Sequence, residues 1–316
     1  MQEIGFPSTR KENENRVALL PEDISRVQHP DLLVIEEDYG KKHGYTDEAY
    51  RQAGARVASR DVVCGCPVIC CAKPEIDDPY FREGTTLFGF IHAVQGPQIT
   101  DALLANRMTA IAWDDMFSQG RHVFWRNNEI SGEAAVAHAL LQWGRLPYEC
   151  GIAVIGRGNV ARGAMYALGR YGATMVVYDR KTSHLLRQEI GRYDLIVNGV
   201  LWDVFRTDHL VYDEDLEKMK PGSMIVDISC DAGMGIESSR PTTIGDPVYW
   251  HKGVLHYVVD HTPTLFFRTA SRSISNEVSR FLDPLIKGET EETLEHATAI
   301  RRGVIVDERI RRFQKR

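Results

Sequence analysis

Short apolar runs alternate along this chain with stretches of helical spacing, and that order predicts an α/β protein built on parallel sheets. In the first half, strands are expected over Glu3 to Phe6, Leu32 to Glu36, Val68 to Ala72, Thr86 to Ile91 and Ala110 to Trp113. Helices are expected over Pro21 to Val27, Thr46 to Ala53 and Gln98 to Asn106. The polar stretch Arg126-Asn127-Asn128-Glu129 marks a domain crossing, and Ser131 is placed to cap a long helix from Gly132 to Trp143. After Pro147, strands are expected over Gly151 to Ile155, Thr174 to Tyr178, Asp194 to Gly199, Met224 to Ser229 and Leu255 to Val259, with helices over Asn159 to Arg170 and Asp213 to Met219. That is the repeating order of a nucleotide-binding sheet. The end of the chain reads as two helices, Ser275 to Ile286 and Thr290 to Ile300, with no further strand of comparable strength. Periodicity leaves open whether they close the second domain or return to the first.

Composition narrows the function. With 316 residues, 43% of them hydrophobic, the chain can bury a core without metal or disulfide. A net charge of -6 and the absence of a basic stripe interleaved with aromatics argue against nucleic acid as a partner. The arginines from Arg301 to Arg312 alternate with Ile, Val, Asp and Glu, as on the solvated face of a terminal helix. No apolar run reaches the length of a membrane span, and the N-terminus lacks the basic start and apolar stretch of a signal peptide, so the expected location is the cytosol, away from membranes. Cys64, Cys66, Cys70 and Cys71 are close in sequence, but Val68 to Ala72 reads as a buried strand whose adjacent residues face opposite ways. These thiols are therefore expected to pack as small apolar groups, with no metal.

The strongest chemical signal is Ile152-Ala153-Val154-Ile155 followed by Gly156-Arg157-Gly158-Asn159-Val160-Ala161. A strand ending in a glycine turn that opens a helix lets a pyrophosphate approach the backbone and meet the helix N-terminus, so a nicotinamide dinucleotide is expected there. Asp179 ends the next strand, where a carboxylate holds the adenosine ribose and argues for NAD. Arg180, Lys181 and Thr182 follow at once, and with Arg157 they can hold a 2'-phosphate, so the residues alone leave NAD against NADP open.

Four further positions stand out. Lys73, His92 and Asp231 each follow an apolar strand, where the ligand crevice of a parallel sheet lies, and Arg16 sits in Glu14-Asn15-Arg16-Val17-Ala18-Leu19. Singly, each has a plain reading as a surface cation, a structural histidine or a loop acid, and Asp227 can simply brace its strand. Beside a cofactor domain, catalysis is the favoured reading.

These residues carry a resemblance. Ile4-Gly5-Phe6-Pro7, Glu14 to Leu19, Lys73-Pro74, His92 and the Asp227 to Gly233 stretch are similar, in order and over nearly the whole chain, to the alanine dehydrogenase and pyridine nucleotide transhydrogenase family. Thr9 to Arg16, Tyr178 to Thr182 and Val259 to Thr264 resemble the branch of that family that makes carboxyethyl amino acids. The resemblance implies two Rossmann-like domains with a substrate cleft between them. Residues 1–128 with 268–316 would form the catalytic domain, completed by the C-terminal helices, and 129–267 the cofactor domain. It also implies a homo-oligomer acting on small molecules, a keto acid and an amino acid, by reductive joining of pyruvate to the side-chain amine of ornithine or lysine with NADPH. Arg16 and Lys73 would anchor the keto acid, His92 would be the acid-base group, and Asp231 the carboxylate beside the nicotinamide. Two departures from alanine dehydrogenase are Ala161 for the third glycine and His261-Thr262-Pro263 for an Asn-Met-Pro stretch. A basic co-substrate calls for acidic partners, with Asp114, Asp115, Asp203 and Asp260 as candidates. The rivals are alanine dehydrogenase with ammonia and NADH, a saccharopine-type dehydrogenase, and a nucleotide-binding transhydrogenase subunit that performs no amino-acid chemistry.

Overall fold

The computed structural model describes residues 1–316. It divides into two compact units, Met1–Trp125 with Phe267–Arg316, and Arg126–Phe266. The strands in chain order are β1 Ile4–Phe6, β2 Leu33–Glu36, β3 Arg56–Ala58, β4 Val68–Cys71, β5 Thr86–Gly89, β6 Thr109–Ala112, β7 Phe117–Ser118, β8 Arg121–His122, β9 Ile152–Ile155, β10 Met175–Tyr178, β11 Leu195–Asn198, β12 Met224–Asp227, β13 Val248–His251, β14 Val254–Tyr257, β15 Thr298–Arg301 and β16 Val304–Ile305. The chain is an α/β protein with two parallel-rich sheets.

In the first unit the sheet order is β16-β15-β6-β5-β4-β1-β2-β3. β1 to β6 pair in parallel, which brings the chain segments after β1, β4, β5 and β6 to one edge. Both faces are covered, and one core cluster takes Cys70 while the other takes Cys71, as strand alternation requires. Burial pushes the Cys66 thiol up to about 11 and Cys71 to about 12, so both stay protonated and behave as small apolar groups.

The C-terminal segment corrects the expectation of a helix to Ile300. The helix is only Glu292–His296, started by the Glu291 side chain accepting from the Leu294 amide, and Thr298–Arg301 is strand β15, antiparallel to β6. This strand covers what would otherwise be an open edge of β6. A four-residue strand directly behind a helix is too short to leave a periodic trace. Arg301 and Arg302 accordingly lie in β15 and its turn, whereas Arg309, Arg311 and Arg312 are on the terminal helix Glu308–Gln314.

In the second unit the order is β10-β9-β11-β12-β14-β13, parallel except for the edge strand β13. A doubly wound dinucleotide sheet usually has another strand beyond β10. Here the chain goes from helix Ser183–Glu189 through the turn Ile190–Arg192 straight into β11, and that strand is missing.

The helix expected to begin after Ser131 spans Trp125–Trp143, so Ser131 is inside it and caps nothing. The polar start is helical because its charges pair at helical spacing: Arg126 reaches Glu129 at 2.9 Å and Glu133 at 2.8 Å. This helix lies hard against helix Asn159–Arg170. A Cβ on Gly132 would sit 2.0 Å from the Val160 carbonyl, and one on Gly163 1.8 Å from the Glu129 carbonyl. Gly163→Ala therefore pushes backbone against backbone, and about 1 kcal/mol of helix propensity gained is outweighed by overpacking of ~1–3 kcal/mol or more. We expect a lower melting temperature and weaker dinucleotide binding; a Gly163→Ala protein at least as stable as the parent would disprove this contact. No helix is long and apolar enough to cross a membrane.

Candidate active site

In the first unit, the segments that carry Arg16, Lys73 and His92 leave the sheet after β1, β4 and β5, on one edge. Arg16 is 5% exposed, which an arginine tolerates only with a partner. Glu14 is that partner: its carboxylate takes Arg16 Nε at 2.8 Å and Nη2 at 2.5 Å, and also the Arg16 amide at 2.9 Å. The guanidinium carbon lies 5.8 Å from the centre of the Phe90 ring, against which the His92 imidazole also lies nearly parallel at 6.4 Å. Phe90 in turn packs edge-on against Trp113 and Phe124. One buried aromatic ring thus lies beside both the Arg16 guanidinium and the His92 imidazole.

His92 is half exposed and has a left-handed backbone, φ 50°. Asp114 holds it there. One carboxylate oxygen accepts the amides of Ile91 and His92, each at 2.9 Å, and the other lies 2.9 Å from His92 Nδ1. Burial pushes the Asp114 carboxyl up, but the His92 imidazole and amide, with the Lys73 ammonium behind them, outweigh it and hold Asp114 well below the usual carboxylate range. With Nδ1 on an anion, the imidazole carries its proton there and leaves Nε2 for chemistry. Lys73 follows β4, and its carbonyl accepts the Thr9 hydroxyl at 2.8 Å, which ties the β1 and β4 loops together.

Each of the acids suggested for an amine has a partner of its own. Asp114 is taken by His92, Asp115 pairs with Arg309 at 2.7 Å, Asp203 accepts the Phe205 amide at 3.0 Å, and Asp260 pairs with His261. Glu14 and the orienting role of Asp114 were not read from the sequence. For Asp114 the placement comes from strand register, which the sequence does not show: Gly89 pairs with Ala112 across β5 and β6, so residues just beyond 89 lie beside 114.

In the second unit, β9 leads into the glycine turn. Gly156 has φ 110°, which only glycine adopts without strain, whereas a Cβ on Gly158 would meet nothing of the protein within 4 Å. That bare, open glycine stands directly before helix Asn159–Arg170, whose first amides have no partner within the helix. The arrangement suits a pyrophosphate. Ala161 is accommodated because Gly199, beyond β11, is bare where it faces Ala161; a Cβ there would come within 2.8 Å of the Ala161 amide nitrogen.

Asp179 follows β10, but its carboxylate is engaged locally. Oδ1 accepts the Lys181 amide at 3.0 Å and the Thr182 amide and hydroxyl, while Oδ2 takes Arg157 Nε at 3.1 Å. The Lys181 amide is the main cause of its lowered pKa. Arg180 and Lys181 follow at this corner. Asp231 is half-buried, just past Cys230, whose φ is 58°. Asp227 braces the loop from below: it is fully buried and accepts from Asn198 at 2.9 Å, Ser229 at 2.8 Å and Ser239 at 2.5 Å. Burial nonetheless pushes its pKa up.

Comparison with known proteins shows the family. Residues 5–124 match the alanine dehydrogenase/PNT N-terminal domain, and residues 159–311 the C-terminal domain. The N(5)-(carboxyethyl)ornithine synthase of Lactococcus lactis subsp. lactis (strain IL1403) is 31% identical over 87% of this chain and 94% of its own, and that of Clostridium botulinum 30% over 88% and 92%. Alanine dehydrogenase of Bacillus subtilis is 27% identical over 95% and 90%. Among solved structures, an L-alanine dehydrogenase superposes with a TM-score of 0.82 at 22% identity, covering 99% of both chains. A transhydrogenase from Sinorhizobium meliloti gives 0.79 at 20%, covering 96% and 99%. By sequence match across both domains, the chain is an oxidoreductase of the alanine dehydrogenase/PNT family.

Proposed function

We propose that this protein joins pyruvate to the side-chain amine of ornithine, or of lysine, giving N5-(1-carboxyethyl)ornithine or its lysine counterpart with NADPH as reductant. The observation that carries an enzymatic reading is the imidazole of His92 oriented by Asp114 beside Lys73 and Arg16. The choice of amine rests on the carboxyethylornithine synthases among its relatives.

In this reading Arg16 fixes the pyruvate carboxylate by paired hydrogen bonds and Lys73 polarises the keto oxygen. The keto oxygen takes a proton from solvent beside Lys73 to become a hydroxyl, and His92 accepts a proton from the attacking amine and returns it to that hydroxyl, so that water leaves and a protonated imine remains. The reduced nicotinamide, when bound, supplies the hydride that converts the imine carbon to the secondary amine. Asp231 offers the carboxylate on the cofactor-binding unit. Glycine-turn residues Gly156, Gly158, Asn159, Val160 and Ala161 would hold the pyrophosphate. Arg157, Arg180 and Lys181 favour NADPH, because Asp179 is already occupied and a cation stands at the ribose corner. We place the enzyme in the cytosol as a homo-oligomer acting on small molecules alone.

The test is oxidation of NADPH and NADH with pyruvate, offering ammonia, ornithine and lysine separately. Turnover with a diamino acid, faster with NADPH, is expected. Turnover with ammonia and NADH would make this an alanine dehydrogenase, and tight dinucleotide binding without turnover a binding subunit. For the cofactor itself, Arg157→Ser should raise KM for NADPH at least tenfold, since a charge-assisted hydrogen bond contributes about 1.5–3 kcal/mol. KM for NADH should change little, and an equal rise for both cofactors would remove the 2'-phosphate assignment.

A further inference from the structure

Residues 14 to 20 belong to no helix or strand, yet Glu14 and every residue from Arg16 to Leu20 are buried. Buried irregular backbone must find hydrogen-bond partners for its amides. Here side chains supply them. Glu14 accepts the Arg16 amide at 2.9 Å, the Tyr39 hydroxyl accepts Ala18 at 2.7 Å, Ser271 Oγ accepts Val17 at 2.9 Å and Ser275 Oγ accepts Leu20 at 2.8 Å.

The two serines are fully buried and one helical turn apart on helix Phe267–Lys287, hence on the same face. Ser275 also donates to the buried Asp23 at 2.6 Å, which commits its hydroxyl proton and turns its lone pairs to Leu20. Nothing in helix stability calls for serine here: the neighbouring buried positions Ile274 and Val278 are apolar, and serine is a poorer helix former than alanine.

We propose that Ser271 and Ser275 are positioning residues for Arg16, setting where its guanidinium meets the keto-acid carboxylate by pinning the segment that carries it. The inference rests on the reading of Arg16 as the carboxylate anchor. Loss of the Ser271 hydroxyl leaves the Val17 amide buried without a partner, and the segment relaxes to find water.

The experiment compares Ser271→Ala and Ser275→Ala, each in the full chain, with the parent and with Arg16→Lys. Hydrogen exchange of the peptide covering residues 16 to 20 should speed up in either serine variant. KM for pyruvate should rise about tenfold with kcat less affected, and the dissociation constant for NADPH alone should not move. If the serines act through Arg16, the same replacement in an Arg16→Lys background should raise KM little further. Faster exchange with unchanged KM, or a full additional loss in the Arg16→Lys background, overturns the proposal. Should one variant fold poorly, the other carries the same comparison. A parent protein that does not use pyruvate at all would instead overturn the assignment of Arg16, and the exchange result would then report only on the segment.

Discussion

Replacing His92 with Asn lowers turnover by about two to four powers of ten, the usual contribution of a placed acid-base group, while the fold survives. Asn is the choice because His92 has a positive φ, and Asn accepts that conformation more readily than other side chains. Removing the imidazole also removes the main group that lowers the pKa of buried Asp114, so a modest fall in melting temperature is expected with the fold intact. Retention of near-normal turnover by His92→Asn would sink the assignment. Asp114→Asn should act in the same direction with a smaller loss: one amide oxygen can still accept the amides of Ile91 and His92, but its NH2 faces Nδ1 and reverses the tautomer.

The pH dependence follows from the same pair. Asp114 has its folded pKa lowered, so its contribution to stability is present above the unfolded carboxylate value and is lost only as pH falls through the lower folded one. In mildly acidic solution it remains an anion beside His92. An acid limb of the rate profile in mildly acidic solution therefore belongs to a group other than Asp114.

The alternation of strand and helix, the glycine turn and the strand-end positions of Lys73 and His92 were all legible because each depends on local spacing. What escaped the sequence depends on which groups meet in the folded chain, whether near or far in sequence. β15 is four residues held extended by pairing with β6 on one side and β16 on the other. The start of helix Trp125–Trp143 looked like a linker because Asn127 and Glu129 are polar, yet both are buried in the folded protein. The residue types alone do not show that the amides of Lys181 and Thr182 and the Arg157 guanidinium meet the Asp179 carboxylate. Glu14 was visible as a letter of a motif, but its carboxylate works by accepting from Arg16, two residues ahead.

That pair gives the largest expected change in stability. The Glu14 and Arg16 side chains are 0% and 3% exposed, so each leaves the other's charge buried if removed. Breaking a buried pair by deleting one partner typically costs about 3–5 kcal/mol, whereas replacing both by apolar groups is often neutral. Glu14→Ala should therefore melt well below the parent, by about 2–4 °C per kcal/mol if the unit behaves as an average domain of 150–250 residues. Arg16→Met alone should also be destabilised, and Glu14→Leu with Arg16→Met should be more stable than either single variant. The double variant should nonetheless fail to bind pyruvate, because the guanidinium is gone. Stability and binding then part company, as expected for a charge pair kept for its ligand. If Glu14→Ala melted like the parent, the carboxylate would have no part in holding Arg16, and the arginine would have to be satisfied by other groups around it.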